Sequence, residues 1–107
     1  MIYTTLNTND REYKLALTTS GICQLEKKIG CNPLTIFGNG DTLPTISTMV
    51  SILHSSLQKY QHNINEQEAC KIFDEWLECG NAYTDFVEVI LEIYKVSGLI
   101  KADEEKN

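Results

Sequence analysis

Residues 4–37, TTLNTNDREYKLALTTSGICQLEKKIGCNPLTIF, decide the fold. Leu6 leads into the turn-forming run Asn7-Thr8-Asn9-Asp10, after which Tyr13, Leu15 and Leu17 alternate with Lys14 and Ala16. That period of two predicts a β-hairpin with one buried face. From Thr18 onward the spacing turns helical, with Ile22, Leu25 and Ile29 on one side. Hydroxyls in Thr18-Thr19-Ser20 can accept from the free amides of the first turn. Gly30 can close the helix in a left-handed conformation, and Lys27 and Lys28 sit favourably against its dipole. A helix this short depends on packing against the hairpin.

Working outward, residues 31–44 (CNPLTIFGNGDTLP) carry both prolines and two of the six glycines. This segment reads as a loop, with Gly38-Asn39-Gly40-Asp41 its most mobile part and Leu34, Ile36 and Phe37 its anchors to the core. A phosphate-binding loop would need G-x-x-x-x-G-K-[ST] or G-x-G-x-x-G between a strand and a helix. A bare Gly-Asn-Gly with no following Lys does not meet that pattern.

Three further helices follow. In the second, Ile46, Met49, Val50, Leu53, Leu57 and Tyr60 form one stripe, with Ser47, Ser51, His54, Ser55 and Gln58 off it and Pro44 at or just before its start. The third begins at Asn65 as cap, with Glu68 completing a capping box and Ile64 placed to staple against Ala69. Ala69, Ile72, Phe73, Trp76 and Leu77 form its buried stripe, and Gly80 stops it. Thr84 or Asp85 is placed to cap the fourth, which runs through Phe86, Val87, Val89, Ile90, Leu91, Ile93, Tyr94 and Val96. Its charges Glu88, Glu92 and Lys95 share one narrow stripe, so roughly three quarters of its circumference is apolar at ~100° per residue. Two arrangements satisfy this pattern: a central helix covered on several sides, or a helix with one apolar strip left as a docking surface. Helices apolar around most of the circle are normally buried, which favours the first.

The expected architecture is α+β, mainly α: an N-terminal β-hairpin packed on a bundle of about four helices. It forms one domain over 1–100, followed by a charged, flexible tail over 101–107.

Composition narrows the chemistry. The 107 residues carry a net charge of −6 and nine scattered Lys and Arg, which argues against nucleic-acid binding. No apolar run approaches the ~20 residues that span a bilayer, and no secretion signal is evident. The expected location is a cytoplasm. Cys23, Cys31, Cys70 and Cys79 match no zinc-ligand spacing and are expected to remain thiols in a reducing compartment. His54 and His62 lack a carboxylate or thiol at ligand spacing, and no hydrolase, zincin or nucleotide-binding motif occurs. Neither an enzyme, a cofactor nor a metal is expected. Recognition of another macromolecule is the chemistry these residues suit.

The order of a short hairpin, then LTTSGICQLEKKIG (17–30) with its Leu-Thr…Leu-Glu core, then a glycine-rich loop resembles a family of small phage proteins. These are the tail assembly chaperones and related minor tail proteins of phages and prophages of Gram-positive bacteria. The segments TMVSILHSSLQKY (48–60) and TDFVEVILEIYKVSGLI (84–100) resemble that group as well, so the similarity runs over 4–100. It implies a non-enzymatic protein made in the host cytoplasm, coating the apolar, helical tape measure protein and recruiting tail tube subunits, with self-association possible. A tape measure helix needs its apolar stripe covered until the tube closes, as in helix-in-groove recognition. On that basis the candidate partner-binding residues are Val87, Leu91 and Tyr94 on the fourth helix, beside Ile36 and Phe37 in the loop. The resemblance also implies a longer form made by ribosomal frameshifting in the A-rich codons available to Glu105-Lys106-Asn107. Other readings are a tube or completion component kept in the virion, where exposed sheet edges and ring closure would be expected, and a small phage protein that binds a host factor.

Overall fold

A computed structural model describes residues 2–37 and 43–101 of the chain. Strands β1 (Thr4–Asn7) and β2 (Glu12–Leu15) pair antiparallel, with Leu6 opposite Tyr13 and Thr4 opposite Leu15. Four α-helices follow among the described residues: α1 (Thr19–Ile29), α2 (Ile46–Leu57), α3 (Glu66–Glu78) and α4 (Phe86–Ser97). Short 3-10 turns at Pro33–Thr35 and Tyr83–Asp85 join them. The chain is therefore α+β and mainly helical, a hairpin packed on a helical bundle.

The local signals act as their chemistry dictates. Thr8 Oγ1 accepts from the Arg11 amide at the hairpin turn, and the Thr8 amide donates to the Arg11 carbonyl at 2.8 Å. Thr18 caps α1 by accepting from the Gly21 amide, and Gly30 ends it with φ 76°, a left-handed conformation that costs a Cβ-bearing residue energy. Thr45 caps α2, with Pro44 just ahead of it. Asn65 and Glu68 form the reciprocal capping box of α3 at 2.7 and 2.8 Å.

The buried face of the hairpin (Leu6, Tyr13, Leu15) joins one apolar core with Leu25, Met49, Ile52, Leu53, Leu57, Phe73, Phe86, Ile90 and Ile93. Phe73, Trp76 and Phe86 lock α3 to α4, with the Phe73 and Phe86 ring centroids 4.6 Å apart.

Several expectations are corrected. The central helix is α2, not α4: it packs against α1, α3, α4 and β2, and from Thr48 to Gln58 no residue of it is exposed. Ile52 and Ser56 are fully buried and Ser51 is buried at 6% although all three lie off the stripe, while Ile46 at its start is 49% exposed. Serines are tolerated here because they are small, and the fully buried Ser56 is locally satisfied: its Oγ donates to the Leu53 carbonyl, and its carbonyl accepts from the Ala16 amide. Tyr60 lies beyond the end of α2, its ring 5.5 Å from that of Tyr3. The second strand stops at Leu15, because the next amides turn to other partners: Ala16 to Ser56 and Leu17 to Ser97 Oγ. Asp85 stands at the N-cap position of α4, as expected, but its side chain makes no capping hydrogen bond to that helix. Thr84 and Asp85 both belong to the preceding 3-10 turn, where Asp85 Oδ2 accepts from the Ala82 amide. Of the three loop anchors, Ile36 and Phe37 pack on the core and Leu34 is exposed, with Pro33 buried in its place. The Gly38–Asp41 turn and the tail beyond Lys101 lie outside the described residues.

Candidate functional site

The five candidate partner-binding residues fall on two elements that the fold brings together. Tyr94 is 1% exposed, and its hydroxyl donates to the Pro33 carbonyl at 2.8 Å, tying α4 to the Pro33–Thr35 turn. Tyr94 is thus a brace beneath the candidate surface and not part of it, a correction to its expected role. Burial first, and charge on Cys31 second, push its phenol above the ordinary value, so it stays a donor.

On α4 the core side is Phe86, Ile90, Ile93 and Tyr94. Val87 and Leu91 lie on the flank next to Tyr94, one helical turn apart, and both are half-buried. Ile36 and Phe37, also half-buried, follow the turn that Tyr94 holds. The Tyr94–Pro33 bond ties the turn just before Ile36 and Phe37 to α4. Sequence spacing did not single out the exposed apolar residues of the same stretch, Leu34 at 46%, Leu43 at 48% and Ile46 at 49%. Leu34 reads as a loop anchor, Leu43 as a loop position and Ile46 as part of the α2 stripe, and nothing local in the sequence distinguishes an apolar anchor from an apolar surface residue.

A polar cleft of about 290 Å³ opens between the start of α1 and the side of α2, lined in part by Thr18, Gln24, His54, Gln58 and Lys59. Both ring nitrogens of His54 are engaged. Nε2 donates to the Ile64 carbonyl at 2.9 Å, which leaves Nδ1 to accept from Lys28 Nζ at 3.3 Å. Lys28 in turn pairs with Glu66 at 3.0 Å, so this chain of contacts joins α1, α2 and α3. Its geometry suits holding three helices together and offers no imidazole nitrogen for proton transfer. His62 is exposed in the α2–α3 connection.

Cys23, Cys31, Cys70 and Cys79 are all exposed thiols. Among the described residues no three His, Cys, Asp or Glu side chains gather to hold a metal ion, and no helix is long and apolar enough to cross a membrane. No protein-family model, curated protein or solved structure matches the chain.

Proposed function

We propose that this chain is a non-enzymatic phage or prophage tail assembly chaperone, which covers apolar helical stretches of a tape measure protein and helps recruit tail tube subunits in the bacterial cytoplasm. The observation that carries the reading is the half-exposed apolar edge of α4, Val87 and Leu91, on the helix whose Tyr94 is bonded to the turn that precedes Ile36 and Phe37. An apolar strip at helical spacing suits the stripe of another amphipathic helix, which buries its i, i+3, i+4 positions in such a groove. Exposed Leu34, Leu43 and Ile46 extend the apolar character along the same chain segment. The resemblance over 4–100 supplies the identity of the helical partner.

Co-expression with the long, coiled-coil-rich protein expected from the adjacent downstream gene tests this directly. The wild-type chain should co-purify with it. Leu91→Asp should keep its circular dichroism spectrum, because Leu91 lies off the core side of α4, and lose at least about tenfold in capture as charge enters an apolar contact. Undiminished capture by folded Leu91→Asp removes Leu91 from the interface. A locus with neither a long helical product nor an overlapping frame at its 3′ end sinks the assembly reading altogether.

A further inference from the structure

The two edges of the hairpin are treated differently. In an antiparallel pair, residues alternate between those that bond across the ladder and those whose amide and carbonyl point outward. Lys14 points outward on β2: its amide donates to Gln61 Oε1, and its carbonyl accepts from Gln61 Nε2, both at 2.9 Å. The next outward amide, Ala16, is taken by the Ser56 carbonyl at 3.0 Å. The edge of β2 is closed by these contacts.

Since Lys14 stands opposite Thr5, and Glu12 opposite Asn7, the outward positions of β1 are Thr5 and Asn7. Among the described residues no side chain or backbone group is seen to take their outward amides and carbonyls in the way Gln61 takes those of Lys14. Thr4-Thr5-Leu6-Asn7 is short, but it carries neither a charge nor a proline, two of the usual edge protections. Beside this edge lies a cleft of about 410 Å³ lined in part by Thr4, Thr5, Trp76, Asp85, Glu88 and Glu92. Three carboxylates line it and no cation does. Glu92 is paired with Lys95 at 3.5 Å, Asp85 accepts from the Ala82 amide, and Glu88 is exposed between them along the helix.

We propose that the outer edge of β1 is a docking site for an extended, Lys- or Arg-bearing segment of another protein, added as a third strand in the cleft between β1 and the acidic side of α4. Backbone bonds to Thr5 and Asn7 supply the pairing, and the carboxylates of α4 select positive side chains on the segment. A second copy of this chain is a poor occupant. Edge-to-edge pairing would bring two sets of the same carboxylates together, on a molecule that already carries a net charge of −6. The site is separate from the Val87–Leu91 flank, so it does not depend on the tail-assembly reading.

The test uses the full 15N-labelled chain and blocked octapeptides of alternating lysine and valine, or glutamate and valine. The lysine peptide should shift the Thr5 and Asn7 amides and slow their hydrogen exchange. The same peptide N-methylated at alternate residues should not, since it cannot pair. Charge reversal by Glu88→Lys with Glu92→Lys should weaken the lysine peptide by about tenfold and admit the glutamate peptide. Because both positions are exposed, the doubly substituted chain should keep the wild-type spectrum elsewhere. An equal response to both peptides overturns the proposal, as does binding that leaves Thr5 and Asn7 unmoved. Dimerisation of the chain through this edge without peptide overturns it in favour of a second copy.

Discussion

Tyr94 shows how one side chain can be apolar filler and polar brace at once. Its ring sits at 1% exposure within the core while its hydroxyl reaches a carbonyl on the fully buried Pro33. Tyr94→Phe should cost about 1–2 kcal/mol in denaturant unfolding at pH 7, because it strands a buried carbonyl without a donor. The pH dependence has a definite sign. Burial raises the folded phenol above its unfolded value of about 10, so its stabilisation is complete below pH ~10 and is lost as pH rises towards the higher folded value. The gap between wild type and Tyr94→Phe should therefore hold steady from pH 7 to 9 and shrink above pH 10. A gap that stays constant to pH 11 would show that the phenol is not protected by the fold. Sequence spacing placed Tyr94 on an apolar helix but could not assign it to surface or interior. Its deciding partner lies 61 residues away, where no local pattern can reach.

At the scale of elements, what was legible in the sequence is what short-range chemistry controls. The Thr18 and Gly30 ends of α1, the Asn65–Glu68 capping box and the alternation of Tyr13 and Leu15 follow from residues within a few positions of one another. The closing of β2 does not. Gln61 comes from beyond α2, 47 residues along the chain, and it binds backbone groups of Lys14, so the identity of the residue it clasps leaves no trace in composition. It is also held in place by donating to the Leu57 carbonyl at 2.9 Å. Gln61→Ala should cost only about 0.5–1.5 kcal/mol, because water can reach the exposed Lys14 groups. The sharper readout is local: exchange at the Lys14 amide should rise, while the Ala16 amide keeps its protection through Ser56. Equal acceleration at both amides would mean that the hairpin detaches as a unit and that Gln61 is a general fastener, not an edge clasp.

For the whole molecule, the question is which helix the others surround. The uniform apolarity of α4 pointed to α4, yet two of its exposed positions, Glu88 and Glu92, face solvent, and Val87 and Leu91 are only half-covered. The central place belongs to α2, whose serines made it look one-sided. Ser51 and Ser56 count as polar in any periodicity, but small side chains let neighbouring elements approach, and the Ser56 hydroxyl, bonded within its own helix, needs no water. The excess apolarity of α4 is then unexplained by burial, and this is why its Val87–Leu91 flank becomes the candidate interface. Truncation separates the two arrangements. Ile52→Ala, at 0% exposure and off the apparent stripe, should lose about 2–5 kcal/mol, the range for a cavity left by a fully buried side chain. Ile46→Ala, on the stripe but 49% exposed, should lose less than about 1 kcal/mol, and Leu91→Ala should fall between them. If Leu91→Ala proves the most destabilising of the three, α4 is the buried centre after all, and no apolar strip remains on it for a partner to cover.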